Sequence, residues 1–122
     1  MDIDGILIGN DKPCYIIAEI GINHNGDIAL AKKLIDVATN AGANAVKFQK
    51  RNLESIYQQK ILENPSLDSQ GTEILIDVLN NVEFGEDDFQ EIVNYCKEKK
   101  ITFLCTPWDI PSVDFLEKLN VP

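Results

Sequence analysis

Histidine is nearly missing from this chain of 122 residues: His24 stands alone, and one imidazole cannot supply a multi-histidine metal site. Basic residues are also scarce, with eleven Lys plus Arg against twenty Asp plus Glu and a formal net charge of -9. A surface that acidic repels phosphodiester backbones and anionic lipid, so no nucleic-acid partner and no membrane surface is expected. No apolar run approaches the roughly 18 residues that a membrane span needs. Met1-Asp2-Ile3-Asp4 also lacks the basic start of a secretory signal. Cysteine is limited to Cys14, Cys96 and Cys105, an odd number with no Cys-x-x-Cys pair. All three fall in apolar-periodic stretches where a thiol behaves as a small hydrophobe. Buried, reduced thiols in a cytoplasmic protein are therefore expected.

The remaining composition is ordinary. Hydrophobic residues make up 44% and charged residues 25%, near the soluble globular average, so neither disorder nor a coiled coil is the starting expectation. A chain of this length is one domain at most.

Apolar Ile3, Ile6 and Ile8, followed by the turn-rich residues 9–13, predict a small hairpin. Residues 14–20 are apolar and β-branched enough for a strand covered on both faces, as parallel strands are. A loop rich in glycine and asparagine follows at 21–26. Asp27 caps a helix with the stripe Ala31, Leu34, Ile35 and Ala38, and Gly42 ends it. A second strand covers 43–49 and precedes a long polar stretch, 50–71. A helix over 72–82 carries Ile74, Leu75, Val78 and Leu79 on one side. Another, from Glu86 to Lys100, has acid at its start, base at its end, and a stripe of Phe89, Ile92, Val93 and Cys96. A third strand at 101–106 leads into a last helix, capped by Asp109 or Ser112, through Leu116 and Leu119.

The pattern is thus a hairpin followed by three strand-to-helix units in series, which means a parallel sheet with helices outside it. A doubly wound sheet of about five strands would fill about 120 residues, yet only three parallel strands are counted. A (β/α)8 barrel needs on the order of 250 residues. The expectation is the N-terminal part of a (β/α)8 TIM barrel, with residues 1–122 ending ahead of its fourth strand.

Ligands gather at the carboxyl ends of parallel strands. Alternation along the three strands places polar groups on one face near those ends: Glu19, Lys47 with Gln49, and Thr106. A carboxylate and an ammonium in apolar surroundings each cost several kcal/mol unless paired or bound to ligand. Solvated, frayed strand ends are the alternative for either residue alone. Lys47 suits an anionic substrate group. Glu19 suits an acid, a base, or a group that positions a hydroxyl or aldehyde oxygen. Gln49 and Thr106 offer neutral hydrogen bonds. His24 is a loop-stabilising residue, a substrate contact or a metal-site neighbour. Lys50-Arg51 reads as solvated loop charge ahead of an extension of the site, and Trp108 as packing ahead of a stacking platform. The long loop over 52–71 lies on the ligand side of a barrel; loops this long are functional or disordered, and the sequence does not decide whether Asn64-Pro65-Ser66 covers a substrate.

Tyr15-Ile16-Ile17-Ala18-Glu19-Ile20-Gly21-Ile22-Asn23-His24-Asn25-Gly26 resembles the opening strand and loop of the sialic acid synthases. Asn40-Ala41-Gly42-Ala43-Asn44-Ala45-Val46-Lys47-Phe48-Gln49 resembles their second-strand signature, and Thr106-Pro107-Trp108-Asp109 the third. The family includes legionaminic, pseudaminic and spore-coat polysaccharide synthases. The resemblance implies condensation of phosphoenolpyruvate with N-acetylmannosamine or a related N-acylamino sugar on a (β/α)8 barrel. It also implies a divalent metal, manganese or magnesium, that polarises the aldehyde. Carried over by motif, Glu19 is the acidic residue near metal and sugar, Lys47 a phosphoenolpyruvate-binding lysine, Gln49 a residue near the sugar and Thr106 a phosphate contact. Asn23 and His24 come over as motif members without a role. The family's metal-binding histidines, further phosphoenolpyruvate ligands and C-terminal antifreeze-like domain are expected beyond Pro122, and the full-length enzyme is expected to be a homodimer. No catalysis is expected from these 122 residues alone. Two other readings stand beside this one: another phosphoenolpyruvate-condensing barrel, of the heptulosonate or octulosonate phosphate type, and a small self-contained α/β binding module.

Overall fold

The computed structural model describes residues 1–64 and 72–122. Its opening hairpin pairs β1 (Asp2–Ile3) with β2 (Ile6–Leu7) antiparallel. Asp4 and Gly5 both take positive φ, 51° and 81°, as a two-residue hairpin loop requires. Three parallel strands follow, β3 (Ile17–Gly21), β4 (Ala45–Lys50) and β5 (Thr102–Pro107), in the spatial order β3-β4-β5.

Helix α1 (Ile28–Asn40) joins the first two strands, and the Asp27 carboxylate caps it by accepting from the N–H groups of Ala29 and Leu30. Between β4 and β5 lie two short helices, α2 (Leu53–Ile56) and α3 (Gln59–Glu63), then α4 (Thr72–Val82) and α5 (Glu86–Lys99). Helix α6 (Ile110–Lys118) closes the described chain, and Asp109 supplies its cap. Sheet and helices meet in one core: Val46, Phe48 and Phe103 of the strands pack with Ala31, Ile35, Phe89, Ile92 and Val93 of α1 and α5. Salt bridges brace those two helices, Lys32 to Glu91 and Lys99 to Asp36, each at 2.6 Å. The strands advance in one direction without the order reversal of a doubly wound sheet, as in an arc of a (β/α)8 barrel.

Three expectations change in part. Residues 14–20 do not form a strand covered on both faces: pairing starts at Ile17, β3 lies at the edge of the sheet, and Ile16 and Ile17 are exposed. Only Cys96 is a fully buried thiol; Cys105 is half-buried and Cys14 exposed, because Cys14 precedes the strand. The polar stretch is not uniformly a loop, since α2 and α3 fall within it. Pro65 and Ser66, singled out as part of a candidate substrate cover, lie outside the described residues, as do the side chains of Ile74 and Leu75.

The hairpin has a definite position. Its Asp4 carboxylate accepts from the Thr102 hydroxyl at 3.1 Å, at the amino-terminal end of β5. A cavity of about 460 Å³ lined by Asp4, Ile6, Asn44, Thr102 and Val121 lies at that same end, away from the carboxyl ends of the strands.

Candidate functional site

Register in the sheet decides which side chains share a row. Glu19 pairs with Lys47, Lys47 with Leu104, and Gln49 with Thr106. Partners in neighbouring parallel strands point to the same side. Since Val46 and Phe48 fill the helix-covered side, Glu19, Lys47, Gln49 and Thr106 lie on the other one. The structure thus brings all four together at the carboxyl half of the sheet.

Glu19 and Lys47 form an ion pair, Nζ to Oε1 at 2.6 Å, with side chains 58% and 32% exposed. An exposed pair of this kind adds about 0–1 kcal/mol to stability, so both groups remain open to a ligand at little energetic cost. An anion arriving here adds to, or displaces, the Glu19 carboxylate on the Lys47 ammonium. The neutral donors Gln49 and Thr106 stand one row further along.

Behind this row lies an ionic cluster that replaces the expected solvated charge. Arg51 is only 8% exposed. Its guanidinium reaches Glu83 at 3.3 Å, and its backbone N–H donates to the same carboxylate at 3.3 Å. The Lys50 ammonium lies 3.6 Å from Glu83 and donates to the carbonyls of Arg51 and Phe84. Two adjacent cations this close to a core are held because one carboxylate meets both. Glu83 escaped sequence reasoning, because it lies 32 residues from Arg51 just past α4 and no local pattern signals it.

Trp108 also departs from expectation: it is 56% exposed, with the Arg51 guanidinium stacked 4.5 Å from its ring centroid. Its neighbour Asp109 accepts from the N–H of Asn52 at 2.6 Å and of Ser112 at 2.8 Å. Burial pushes the Asp109 carboxyl up, but these hydrogen bonds outweigh it and hold the group below the usual range. One carboxylate therefore ties the chain leaving β4 to the cap of α6.

His24 belongs to the loop and the core. It is 2% exposed, stacks on Phe84 with ring centroids 4.0 Å apart, and its Nδ1 accepts from the Gly26 N–H at 3.2 Å. Burial lowers its pKa to about 4, against a smaller opposing effect of a hydrogen bond to the Gly21 backbone. It is neutral at pH 7 and sits on the Phe48 side of the sheet, opposite the Glu19–Lys47 row. Asn23 holds the same turn by donating to the Ile20 carbonyl.

Among the described residues, no group of three His, Cys, Asp or Glu side chains is placed to hold a metal ion. No described helix is long and apolar enough to cross a membrane.

A model described as the NeuB family matches residues 34–122. Among curated proteins, the chain is 42% identical to mouse (Mus musculus) N-acetylneuraminate-9-phosphate synthase over 97% of its own length and 33% of that protein. It is 37% identical to N,N'-diacetyllegionaminic acid synthase of Campylobacter jejuni over 90% of its length and 34% of that protein. Among solved structures, the sialic acid synthetase of Leptospira borgpetersenii superposes with a TM-score of 0.76 at 34% identity, covering 95% of this chain and 38% of that one. The chain spans about a third of the length of these curated relatives.

Proposed function

The chain belongs to the NeuB family, and on that premise we propose that residues 1–122 are the N-terminal portion of the barrel catalytic domain of a sialic acid synthase-type enzyme. The full-length protein condenses phosphoenolpyruvate with N-acetylmannosamine or a related N-acylamino sugar. Carbon 3 of phosphoenolpyruvate bonds to the aldehyde carbon of the open-chain sugar. Water adds at carbon 2, and cleavage of the carbon–oxygen bond releases phosphate. A nonulosonic acid is the product.

Each residue of the row takes one part. Lys47 receives an anionic group of phosphoenolpyruvate, as a compact ammonium on a flexible stem can. Glu19, beside it, faces the sugar and handles a proton or positions the reacting oxygen. Thr106 donates to phosphate and Gln49 to the sugar. The divalent metal, manganese or magnesium, is assigned to side chains outside these residues, where it polarises the aldehyde when bound. A cytoplasmic homodimer is the setting we assign.

The observation that supports this reading most is the Glu19–Lys47 pair, a carboxylate and an ammonium 2.6 Å apart on the face without helices. The test uses the full-length protein with phosphoenolpyruvate, a divalent metal and a panel of N-acylamino sugars. Phosphate release that requires the sugar is expected. A protein that consumes no phosphoenolpyruvate with any of them overturns the reading.

A further inference from the structure

Gln49 is oriented from outside the row it belongs to. Arg51 lies two residues further on, on the same side, and its Nη2 donates to the Gln49 Oε1. A guanidinium carries only donors, so this contact fixes which end of the amide faces which way. The oxygen turns to Arg51, and Nε2 turns away toward the end of β3, where a Cβ placed on Gly21 would stand 3.6 Å from it. Arg51 cannot easily swing off. Glu83 grips it through both the guanidinium and the backbone N–H, and Trp108 covers its plane.

We propose that Arg51, clamped by Glu83, is a positioning residue that makes Gln49 a dedicated N–H donor to a neutral oxygen of the sugar, either a hydroxyl or the acyl carbonyl. Arg51 itself is no anion site, since its side chain is buried and its guanidinium already donates to Glu83 and Gln49. The division of labour follows: Lys47 faces the charged substrate and Gln49 the uncharged one. This rests on the functional reading above.

The experiment is steady-state kinetics of the full-length enzyme. Gln49→Glu keeps the shape and the Arg51 contact but replaces the N–H donors with an acceptor. It is expected to raise the KM for the amino sugar about tenfold or more, with the KM for phosphoenolpyruvate nearly unchanged. Arg51→Met keeps the apolar stem without the donors and raises the sugar KM by a few-fold. Arg51→Lys, which restores a donor, recovers most of that loss. In a Gln49→Ala background Arg51→Met adds nothing to the sugar KM, because its effect runs through the amide. Equal losses for both substrates in Arg51→Met overturn the proposal and leave the functional reading standing. Wild-type sugar affinity in Gln49→Glu overturns the proposal together with the sugar contact assigned to Gln49, and leaves the condensation reaction standing. An inactive wild-type enzyme overturns that reading and the proposal with it.

Discussion

The Glu19 carboxylate and the Lys47 ammonium meet at 2.6 Å across two neighbouring parallel strands, although 28 residues separate them in the chain. The register that pairs them also sends Phe48 into the core on the opposite side. The pair is therefore a direct product of strand alternation, and it sets the first expected outcome.

Lys47→Ala in the full-length enzyme is expected to weaken phosphoenolpyruvate far more than the amino sugar. Loss of a charge-assisted hydrogen bond is worth about 1.5–3 kcal/mol, or roughly 10- to 150-fold in KM. Stability should change by less than about 1 kcal/mol, because the pair is exposed. Separate KM measurements for the two substrates decide it; equal losses contradict the assigned role.

Glu83→Ala removes the carboxylate that holds both Lys50 and Arg51. Breaking a buried pair by deleting one partner costs about 3–5 kcal/mol, since a charge is left behind without its counterion. Chemical denaturation of the full-length variant should show a loss of that order. A midpoint unchanged from wild type means that the cluster is solvated after all.

His24 links stability to pH with a definite sign. Its folded pKa, about 4, lies below the ordinary 6.5, so between those values the unfolded chain binds more protons than the folded one. Its contribution is fully present above pH 6.5 and is lost as pH falls toward 4. At about 1.4 kcal/mol per pK unit this amounts to on the order of 3 kcal/mol. His24→Phe keeps a ring against Phe84 and removes the titration, so wild type should lose stability relative to the variant across this window. Parallel stability curves would falsify the burial argument.

Gly26 takes a φ of +73°, and a Cβ there would overlap the Asn81 carbonyl oxygen. Gly26→Ala thus adds a backbone clash to left-handed strain, the latter alone worth about 1–2 kcal/mol. A drop in thermal midpoint of several degrees is expected; an unchanged midpoint shows that the 21–26 loop can move off α4 freely.

Residues 1–122 expressed alone should associate or unfold easily. Ile17 at the start of β3 and Ile16 just before it are exposed, and among the described residues no strand covers the outer edge of β3. Sedimentation at two concentrations checks this; a sharp, concentration-independent transition of a monomer is the contrary result.

Periodicity and capping chemistry alone determined most of the local structure and, with the motifs, the row of Glu19, Lys47, Gln49 and Thr106. Those signals are short-range: the alternation of a strand, the stripe of a helix and the Asp27 and Asp109 caps all act within a few residues. Only the tertiary structure decided that Arg51 is buried, that Trp108 lies open beneath it, and that His24 faces Phe84 instead of the row. Burial of a charge depends on where its counterion arrives, and Glu83 comes to Arg51 from 32 residues away. Such a meeting is set by how helices and strands pack, so it leaves no local mark in the order of the residues.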